Sequence, residues 1–346
     1  MTASTLRLVV LGAGAIGAYV GGSLRAQGAT VTLVSRGRMH DRIASHGIHL
    51  TGLNGVDQRF AASDFEHLHA GERDAIRRAV ERAGLVLVTV KAHDLTAVAD
   101  RLADCVPPSA LVCCFQNGVA PEQALRAALP GARVVAGVVP FNVAVLPAGR
   151  LHRATSGDLI VQAGEVWAPW RRAFRTAHLP LLERDDMHAV QWGKLLLNLN
   201  NAVNALSGLP LKAQLERADY RRVTAALIDE ALGVLNAARV QPARVGRLPP
   251  RLLPKALRLP DVLFRRLAAG MLRVDPEARS SMWDDLEAGR VTEVDGLNGA
   301  VVELADRVGA GAPLNRAMRD LVHAVERGAS RVWTADALWS NLRRSL

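Results

Sequence analysis

The sequence predicts an α/β protein in which an N-terminal, doubly wound and mostly parallel sheet is followed by an all-α C-terminal domain. Two observations support this fold class. Short apolar runs alternate with helical segments in the first half of the chain, which is typical of parallel sheets covered on both faces. After about residue 184 the strand-like runs disappear and long helical patterns take over. We therefore predict one domain over residues 1–184 and a second over residues 185–346.

Five apolar runs in the first domain are predicted strands, because each is short and bounded by glycine, proline or polar residues. They cover residues 6–11, 30–34, 85–90, 111–115 and 134–139. Between the first two, residues 15–27 predict a helix that Gly28 closes. Helical spacing in the second domain covers residues 186–207, 217–238, 278–288, 294–308 and 314–327.

The chain is basic, with 43 Lys and Arg against 33 Asp and Glu and a formal net charge of +10. Residues 239–275 form an insert rich in Arg, Leu and Pro, with nine basic residues against two Asp. We interpret this insert as a solvated basic face on the helical domain, with a membrane-surface or partner-binding role as the alternative. Because no nucleic-acid motif or interleaved aromatic residues accompany the charge, we expect no nucleic-acid partner.

The three cysteines, Cys105, Cys113 and Cys114, are too few and unsuitably spaced for a disulfide framework or a zinc site. Cys113 and Cys114 lie in an apolar run, which favours packing in the core. No apolar run approaches the roughly 18 residues of a membrane span, and no signal peptide is recognisable. We therefore expect a cytoplasmic protein without integral membrane association and without a metal.

A glycine motif, Gly12-Ala13-Gly14-Ala15-Ile16-Gly17, separates the first predicted strand from the first predicted helix. This strand–helix context makes a G-x-G-x-x-G sequence informative, because it is the dinucleotide-binding fingerprint of Rossmann domains. Gly12 allows the tight turn, Gly14 lets the backbone approach a pyrophosphate, and Gly17 permits close packing of helix on strand. The helix N-terminus then offers its free N–H groups to the phosphates. All six residues are predicted cofactor contacts.

The residues after the second predicted strand indicate which dinucleotide is bound. NAD-binding domains usually place Asp or Glu there for the ribose hydroxyls, but this chain has Ser35-Arg36-Gly37-Arg38. Arg36 can meet a 2′-phosphate with a forked contact, Ser35 can add a hydroxyl, and Arg38 is a secondary candidate. We therefore expect NADP (NADPH) as the cofactor. In the alternative interpretation, Arg36 is only a surface cation on a loop.

Further motifs follow in a fixed order along most of the chain. They are Val90-Lys91-Ala92, Gln116-Asn117-Gly118, Trp192-Gly193-Lys194 with Asn198, Ser280-Ser281-Met282-Trp283-Asp284-Asp285, Gly289-Arg290-Val291-Thr292-Glu293-Val294-Asp295 and Asn298-Gly299. Taken together, these motifs resemble the ketopantoate reductase (2-dehydropantoate 2-reductase) family from about residue 6 to residue 327. The basic insert lies outside what the resemblance covers.

The resemblance implies that Lys194 is the general acid that protonates the substrate carbonyl oxygen. Asn198 shares a helix face with Lys194, four residues on, and would bind the substrate. The family commonly has another Asn four residues later, where this chain has Ala202. Asn201 lies seven residues after Lys194 and is our substitute for a substrate-binding Asn, with Asn204 as second choice. If the resemblance fails here, Lys194 simply extends to solvent.

The other motifs imply cofactor and substrate contacts. Lys91 and Asn117 would contact the cofactor, and Asn117 would also approach the substrate. Ser281 would bind the substrate, and Glu293 would support the reacting centre and the nicotinamide ribose. Structural alternatives stay open: Lys91 as a solvated lysine, Asn117 as part of a plain turn, Ser281 as a helix cap, and Thr292-x-x-Asp295 as a capping box.

We therefore expect NADPH-dependent reduction of 2-dehydropantoate, a 2-keto acid, to pantoate, a step of pantothenate and coenzyme A biosynthesis. Two alternatives remain open. A reductase of the same fold could act on a different 2-keto acid or carbonyl substrate, or the chain could be a non-catalytic NADP-binding regulator. The sequence does not fix the oligomeric state, for which a homodimer is one expectation.

Overall fold

The computed structural model describes residues 6–53, 55–268 and 278–346 and divides the chain into two compact units. The first unit runs to Gln116 and resumes over Ala120–Met187. The second unit comprises His188–Leu346 together with the short segment Asn117–Val119. This three-residue segment follows a strand of the first unit, and its assignment to the second unit is not evident from the sequence.

The first unit alternates strands and helices. Its strands are β1 (Arg7–Leu11), β2 (Thr30–Ser35), β3 (Ile48–Gly52), β4 (Asp57–Phe60), β5 (Glu66–His69), β6 (Leu85–Val88), β7 (Leu111–Cys114), β8 (Arg133–Val138), β9 (Val143–Val145), β10 (Arg150–Arg153), β11 (Leu159–Gln162) and β12 (Leu181–Arg184). Its helices are α1 (Ala15–Arg25), α2 (Gly37–His46), α3 (Arg73–Glu81), α4 (Leu95–Leu102), α5 (Pro121–Ala128) and α6 (Ala168–Thr176).

In the described residues, eight of these strands form one sheet in the order β12-β11-β8-β7-β6-β1-β2-β5. Neighbours from β5 through β8 are parallel, whereas β11 runs antiparallel to β8. The two faces of β1 enter different cores, because Leu8 and Val10 pack in one buried cluster and Val9 and Leu11 in another. The predicted doubly wound, mostly parallel sheet is thereby confirmed.

A second sheet of the described chain has the order β4-β3-β10-β9, which the sequence analysis did not predict. Its strands are short and rich in polar residues, as in the DQRF and RLHR sequences of β4 and β10. Only a few of their side chains are buried. Strands β3, β4 and β10 contain no apolar run, and the apolar strand β9 (VAV) is only three residues long. The pairing of β3 with β10 joins segments about a hundred residues apart, for example Leu50 with Leu151.

The second unit is helical, which confirms the predicted all-α second part. Its helices are α7 (Met187–Asn198, whose first residue belongs to the first unit), α8 (Asn200–Ser207), α9 (Leu211–Leu215), α10 (Ala218–Ala237), α11 (Leu253–Leu257), α12 (Asp261–Ala268), α13 (Ser281–Glu287), α14 (Ala300–Val308), α15 (Pro313–Glu326) and α16 (Ala335–Arg343). The single helix predicted over residues 186–207 is interrupted at Leu199, and a π-helical turn, Asp295–Gly299, precedes α14. No helix in the described part of the chain is both long and apolar enough to cross a bilayer.

The basic insert is anchored in the second unit as far as the structure describes it; its residues 269–275 lie outside the described part. The anchor is Arg221 of α10, a fully buried arginine. Its guanidinium donates hydrogen bonds to the carbonyls of Leu215 (2.9 Å), Leu257 (3.0 Å) and Leu259 (2.7 Å) and to the Asp261 carboxylate (2.9 Å). The insert therefore carries more than a solvated face, because its backbone binds a buried cation.

The three cysteines are buried and unpaired, and Cys113 and Cys114 lie in strand β7. Burial raises the pKa of the Cys113 thiol well above its ordinary value, and burial raises that of Cys114 to about 12. Both thiols therefore stay protonated at neutral pH. Packing in the core, as predicted from the apolar run, is confirmed.

Candidate functional site

The glycine motif joins β1 to α1, and packing requires two of its glycines. Gly12 has a φ of +93°, and a Cβ there would lie 2.6 Å from the backbone nitrogen of Val90. A Cβ on Gly17 would lie 2.4 Å from the hydroxyl oxygen of Thr89. The Thr89 hydroxyl in turn donates a hydrogen bond to the Gly12 carbonyl at 2.7 Å. These contacts hold the turn against the segment after β6.

Gly14 differs from its neighbours, because space is open where its side chain would be. Among the residues that the structure describes, a Cβ there would meet only the Gly12 carbonyl oxygen, at 3.9 Å. Gly14 also precedes α1, whose N-terminus has no side-chain cap in the described structure. The N–H groups of a first helical turn lack intrahelical partners and bind anions. Open space over Gly14 and an uncapped helix fit the pyrophosphate of a dinucleotide.

At the end of β2, Arg36 is exposed and Ser35 is buried. Arg36 pairs with Asp94, with 2.5 Å between its Nη2 atom and the carboxylate. The Ser35 hydroxyl lies 2.8 Å from Nε2 of His67 and 3.3 Å from Nδ1 of His40. The structure thus gives Ser35 different partners from the predicted phosphate. Sequence reasoning missed Asp94 and the histidines, because they lie on other elements.

The motifs that follow strands β6 and β7 have different structural environments. Lys91 is half-buried at the start of a 3₁₀ turn, Ala92–Asp94, that follows β6. Gln116 is buried, and its amide donates a hydrogen bond to the Val90 carbonyl at 2.9 Å. Gln116 therefore ties the chain after β7 to the chain after β6.

Lys194 lies on α7, half-buried between apolar neighbours. The next two residues, Leu195 and Leu196, are fully buried in the core of the second unit. Burial lowers the pKa of the Lys194 ammonium from 10.5 to about 8. A lysine with such a pKa gives up its proton more readily than one in water, which suits a proton donor near neutral pH.

Three further polar side chains of the second unit form a hydrogen-bonded chain. The Asn198 amide, buried one turn after Lys194, donates to the Asn117 side-chain oxygen at 3.2 Å. The Asn117 amide in turn donates to the Glu293 carboxylate at 3.1 Å. These residues are far apart in sequence, and three separate motifs deliver them to one place. The arrangement orders two amides and a carboxylate by mutual hydrogen bonds.

The residues around Glu293 do not form the Thr292-x-x-Asp295 capping box that was the structural alternative. The Thr292 hydroxyl accepts from the N–H of Val294 at 3.2 Å, but the Thr292 N–H donates to Glu326 rather than to Asp295, at 2.8 Å. Glu326, on α15, replaces the carboxylate expected three residues later. The π-helical turn Asp295–Gly299 begins at this point, and such turns are frequent at functional sites.

The Asp295 carboxylate contacts His323 instead, at 2.9 Å from its Nε2 atom. The other ring nitrogen of His323 lies 2.8 Å from the Glu326 carboxylate. Burial opposes the charged imidazole, but these two carboxylates outweigh burial and raise the pKa of His323. Neither His323 nor Glu326 belongs to a motif singled out in the sequence, so reading the sequence alone missed both.

The serine and the asparagines predicted to bind the substrate differ in their burial and in their hydrogen bonds. Ser280, not Ser281, caps α13 by accepting a hydrogen bond from the N–H of Trp283 at 3.2 Å. Ser281 is exposed at the first helical position. Asn204 is fully buried, and its side chain bonds the Leu209 carbonyl and the Ser280 N–H, both at 3.0 Å. Asn201 is half-buried, and its carbonyl accepts from the Ser280 hydroxyl at 3.1 Å.

Gly193 allows the start of the insert to lie directly on α7, beside Lys194. A Cβ on Gly193 would lie 2.0 Å from the Ala243 carbonyl oxygen. The Ala243 N–H donates to the Ala189 carbonyl at 2.8 Å, which fixes the insert to the helix. The glycine of the Trp192-Gly193-Lys194 motif is therefore a packing requirement in this chain.

Substituting Gly193→Ala is expected to destabilise the protein by about 1–3 kcal/mol, because the new methyl group overlaps backbone that cannot rotate away. Urea unfolding followed by circular dichroism measures the effect. The matched control is Gly233→Ala in α10, where a Cβ meets no described atom within 4 Å. The control is expected to be unchanged or more stable, by up to about 1 kcal/mol. Equal stability of the two variants would contradict the proposed packing role.

Two family models match the chain. The model described as Ketopantoate reductase PanE/ApbA matches residues 8–165, and that described as Ketopantoate reductase PanE/ApbA C terminal matches residues 186–326. Among named relatives, the 2-dehydropantoate 2-reductase of Archaeoglobus fulgidus is 27% identical over 332 residues, which cover 93% of this chain and 98% of the relative. The similarity therefore extends over both units.

Solved structures agree. A PanE/ApbA family ketopantoate reductase from Ralstonia eutropha JMP134 superposes with a TM-score of 0.75 at 28% identity, covering 93% of this chain and 99% of that one. D-mandelate dehydrogenase, solved with NADH and anilino(oxo)acetate, has the same TM-score at 19% identity and covers 93% of this chain and 99% of its own. The second likeness is one of fold.

Proposed function

Because the chain belongs to the ketopantoate reductase PanE/ApbA family, and is thus an oxidoreductase with a nicotinamide cofactor, we propose that it reduces 2-dehydropantoate to pantoate with NADPH. The observation that carries this proposal is the polar set of the second unit. It combines Lys194, whose pKa is lowered to about 8, with the hydrogen-bonded chain of Asn198, Asn117 and Glu293. A protein that only senses NADPH would have no need of a proton donor.

The first unit supplies the residues that would hold the cofactor. The open backbone at Gly14 and the uncapped start of α1 would bind the pyrophosphate, and Lys91 would balance nearby negative charge. When bound, the cofactor supplies the hydride. The protein contributes orientation and electrostatics.

Lys194 would supply the proton. As hydride adds to the carbonyl carbon at C2 of the keto acid, the carbonyl oxygen gains negative charge and takes a proton from the Lys194 ammonium. The product is a hydroxyl group, and the lysine is left neutral until solvent reprotonates it. Burial lowers the pKa of Lys194 to about 8, and this favours the transfer at neutral pH.

The amide chain would position the reacting groups. Asn198 and Asn117 would orient the keto acid and the cofactor, and Glu293 would fix the Asn117 amide through their 3.1 Å hydrogen bond. Ser281, exposed at the start of α13, and Asn201 are proposed to bind the polar end of the substrate. Binding in one orientation lowers the entropy that must be lost at the transition state.

Arg36 supports the preference for NADPH over NADH. Its side chain is 63% exposed at the end of β2, so a ligand can reach it. A planar guanidinium binds a phosphate through two parallel hydrogen bonds. The 2′-phosphate, which NADH lacks, is the group that this residue would recognise.

Substituting Arg36→Ala is expected to raise the KM for NADPH about 10- to 100-fold, because charge-assisted hydrogen bonds of about 1.5–3 kcal/mol are lost. The KM for NADH is expected to change little. Initial rates at varied cofactor measure both constants, with Arg73→Ala, at an exposed arginine of α3, as the matched control. Equal effects on the two cofactors would show that Arg36 does not recognise the 2′-phosphate.

The test of the proposed function is NADPH oxidation at 340 nm with purified protein and 2-dehydropantoate. Parallel reactions contain pyruvate, 2-oxoisovalerate or phenylglyoxylate, each also with NADH. We expect the highest kcat/KM with 2-dehydropantoate and NADPH. A faster reaction with another keto acid would replace the substrate and keep the chemistry, whereas NADPH binding without turnover on any of them would favour a regulator. A homodimer stays a prediction, which light scattering would test.

A further inference from the structure

The end of β2 carries no acidic residue, but another loop brings one there. Asp94 closes the 3₁₀ turn Ala92–Asp94 after β6, 58 residues along the chain from Arg36. Its Oδ2 atom lies 2.5 Å from the Arg36 guanidinium. The ribose-binding carboxylate that NAD-binding domains usually place after β2 thus has a counterpart delivered from β6.

The turn holds the Asp94 carboxylate in place. The Asp94 N–H donates to the Lys91 carbonyl at 3.0 Å, and His93 Nε2 lies 3.5 Å from the same Oδ2 atom. The Asp94 side chain is 23% exposed, whereas that of Arg36 is 63% exposed. The pair therefore joins a largely exposed cation to a carboxylate that is mostly buried. An exposed pair of this kind contributes little to stability, so its effect is expected in ligand binding.

We propose that Asp94 is a cofactor-selectivity residue that weakens NADPH binding and supports NADH binding. This inference rests on the proposed contact between Arg36 and the 2′-phosphate. To bind that phosphate, Arg36 must leave Asp94, and the carboxylate then faces a ligand of like charge. NADH presents a ribose hydroxyl instead, which can donate a hydrogen bond to the same carboxylate.

Because Asp94 and the 2′-phosphate compete for Arg36, removing the Asp94 charge is expected to strengthen NADPH binding. Asp94→Asn keeps the shape of the side chain and removes its charge, so Arg36 is no longer held. The Kd for NADPH, measured by fluorescence titration without a keto acid, is expected to fall about fivefold. The Kd for NADH is expected to rise or stay unchanged. The NADPH preference therefore increases by fivefold or more.

The matched control is Asp100→Asn, which removes an exposed carboxylate of α4 and changes the net charge equally. It is expected to leave the ratio of the two dissociation constants unchanged. A double-mutant cycle with Arg36→Ala separates the two contributions. Without Arg36, the Asp94 substitution is expected to lose the part of its effect that comes from releasing the cation and to keep the part that comes from removing a like charge near the 2′-phosphate.

The outcomes distinguish this inference from the proposed function. If Arg36→Ala weakens NADPH binding but Asp94→Asn does not strengthen it, the selectivity role is overturned and the 2′-phosphate site stands. If Arg36→Ala leaves NADPH binding unchanged, the site itself fails, and the role of Asp94 fails with it. If Asp94→Asn and Asp100→Asn change the two dissociation constants similarly, the effect comes from the net charge of the protein alone. That result would also overturn the proposal.

Discussion

Substituting Lys194→Met is expected to lower kcat/KM for keto-acid reduction by about 10²- to 10⁴-fold, which is the usual contribution of a general acid. Methionine keeps the length and apolar contacts of the lysine but cannot donate a proton or stabilise the developing oxyanion. Steady-state kinetics with NADPH and the best keto acid of the panel measure the loss. The Kd for NADPH, from fluorescence titration, is expected to change little, so the loss concerns the chemical step.

The lowered pKa of Lys194 predicts that the Lys194→Met variant loses activity without losing stability. Burial lowers the pKa of Lys194 from 10.5 to about 8, so the charged form is disfavoured in the folded protein. That penalty is complete below pH 8 and is relieved as the pH rises from about 8 to 10.5. At pH 7 the neutral methionine is therefore expected to be at least as stable as the lysine. The control is Lys255→Met, at an exposed lysine of α11. Equal activities of the Lys194→Met and Lys255→Met variants would mean that Lys194 only extends to solvent.

The same pKa sets the pH dependence of the reaction. The lysine must be protonated to act as the acid, so kcat/KM is expected to be level below pH 8 and to fall about tenfold per pH unit above it. Measurement over pH 6–10 gives the apparent pKa, and the Lys194→Met variant is expected to lose this limb. A limb that persists in the variant would assign the titration to another group.

Local sequence rules predicted the parts of the fold that local chemistry determines. The strand, glycine motif and helix from Arg7 to Arg25 could be read directly, because a buried run, a close approach and a helical period are all encoded within a few residues. Helix α10 was predicted at residues 217–238 and is observed at Ala218–Ala237, since its long apolar face is continuous. Most predicted ends differ from the observed ones by only a few residues.

Long-range contacts account for most of what the sequence could not predict. The Asp94 carboxylate reaches Arg36, and Glu326 replaces Asp295 at Thr292, because folding places charged groups from distant segments together. No spacing rule encodes such pairs. The identities of the candidate residues came from family motifs, whereas the hydrogen bonds from Asn198 through Asn117 to Glu293 required the structure.

Substituting Arg221→Met is expected to destabilise the protein by about 3 kcal/mol, because several buried carbonyls lose their donor at once. Three carbonyl oxygens and a carboxylate accept hydrogen bonds from this fully buried guanidinium, which also lies 4.2 Å from the Phe264 ring centroid. The neighbouring Arg222 is exposed, so Arg222→Met is the matched control and is expected to change stability by less than about 0.5 kcal/mol. Urea unfolding measures both.

Trypsin provides a local readout of the same substitution, because residues 239–275 carry nine basic cleavage sites. If Arg221 anchors the insert, cleavage within it is expected to be faster in Arg221→Met than in Arg222→Met, under conditions where the folded fraction of both is near one. The insert also lies on Gly193, beside Lys194, through the Ala243 backbone. Loosening the insert is therefore expected to lower kcat as well. Fast cleavage with undiminished kcat would mean that the insert does not position the catalytic helix.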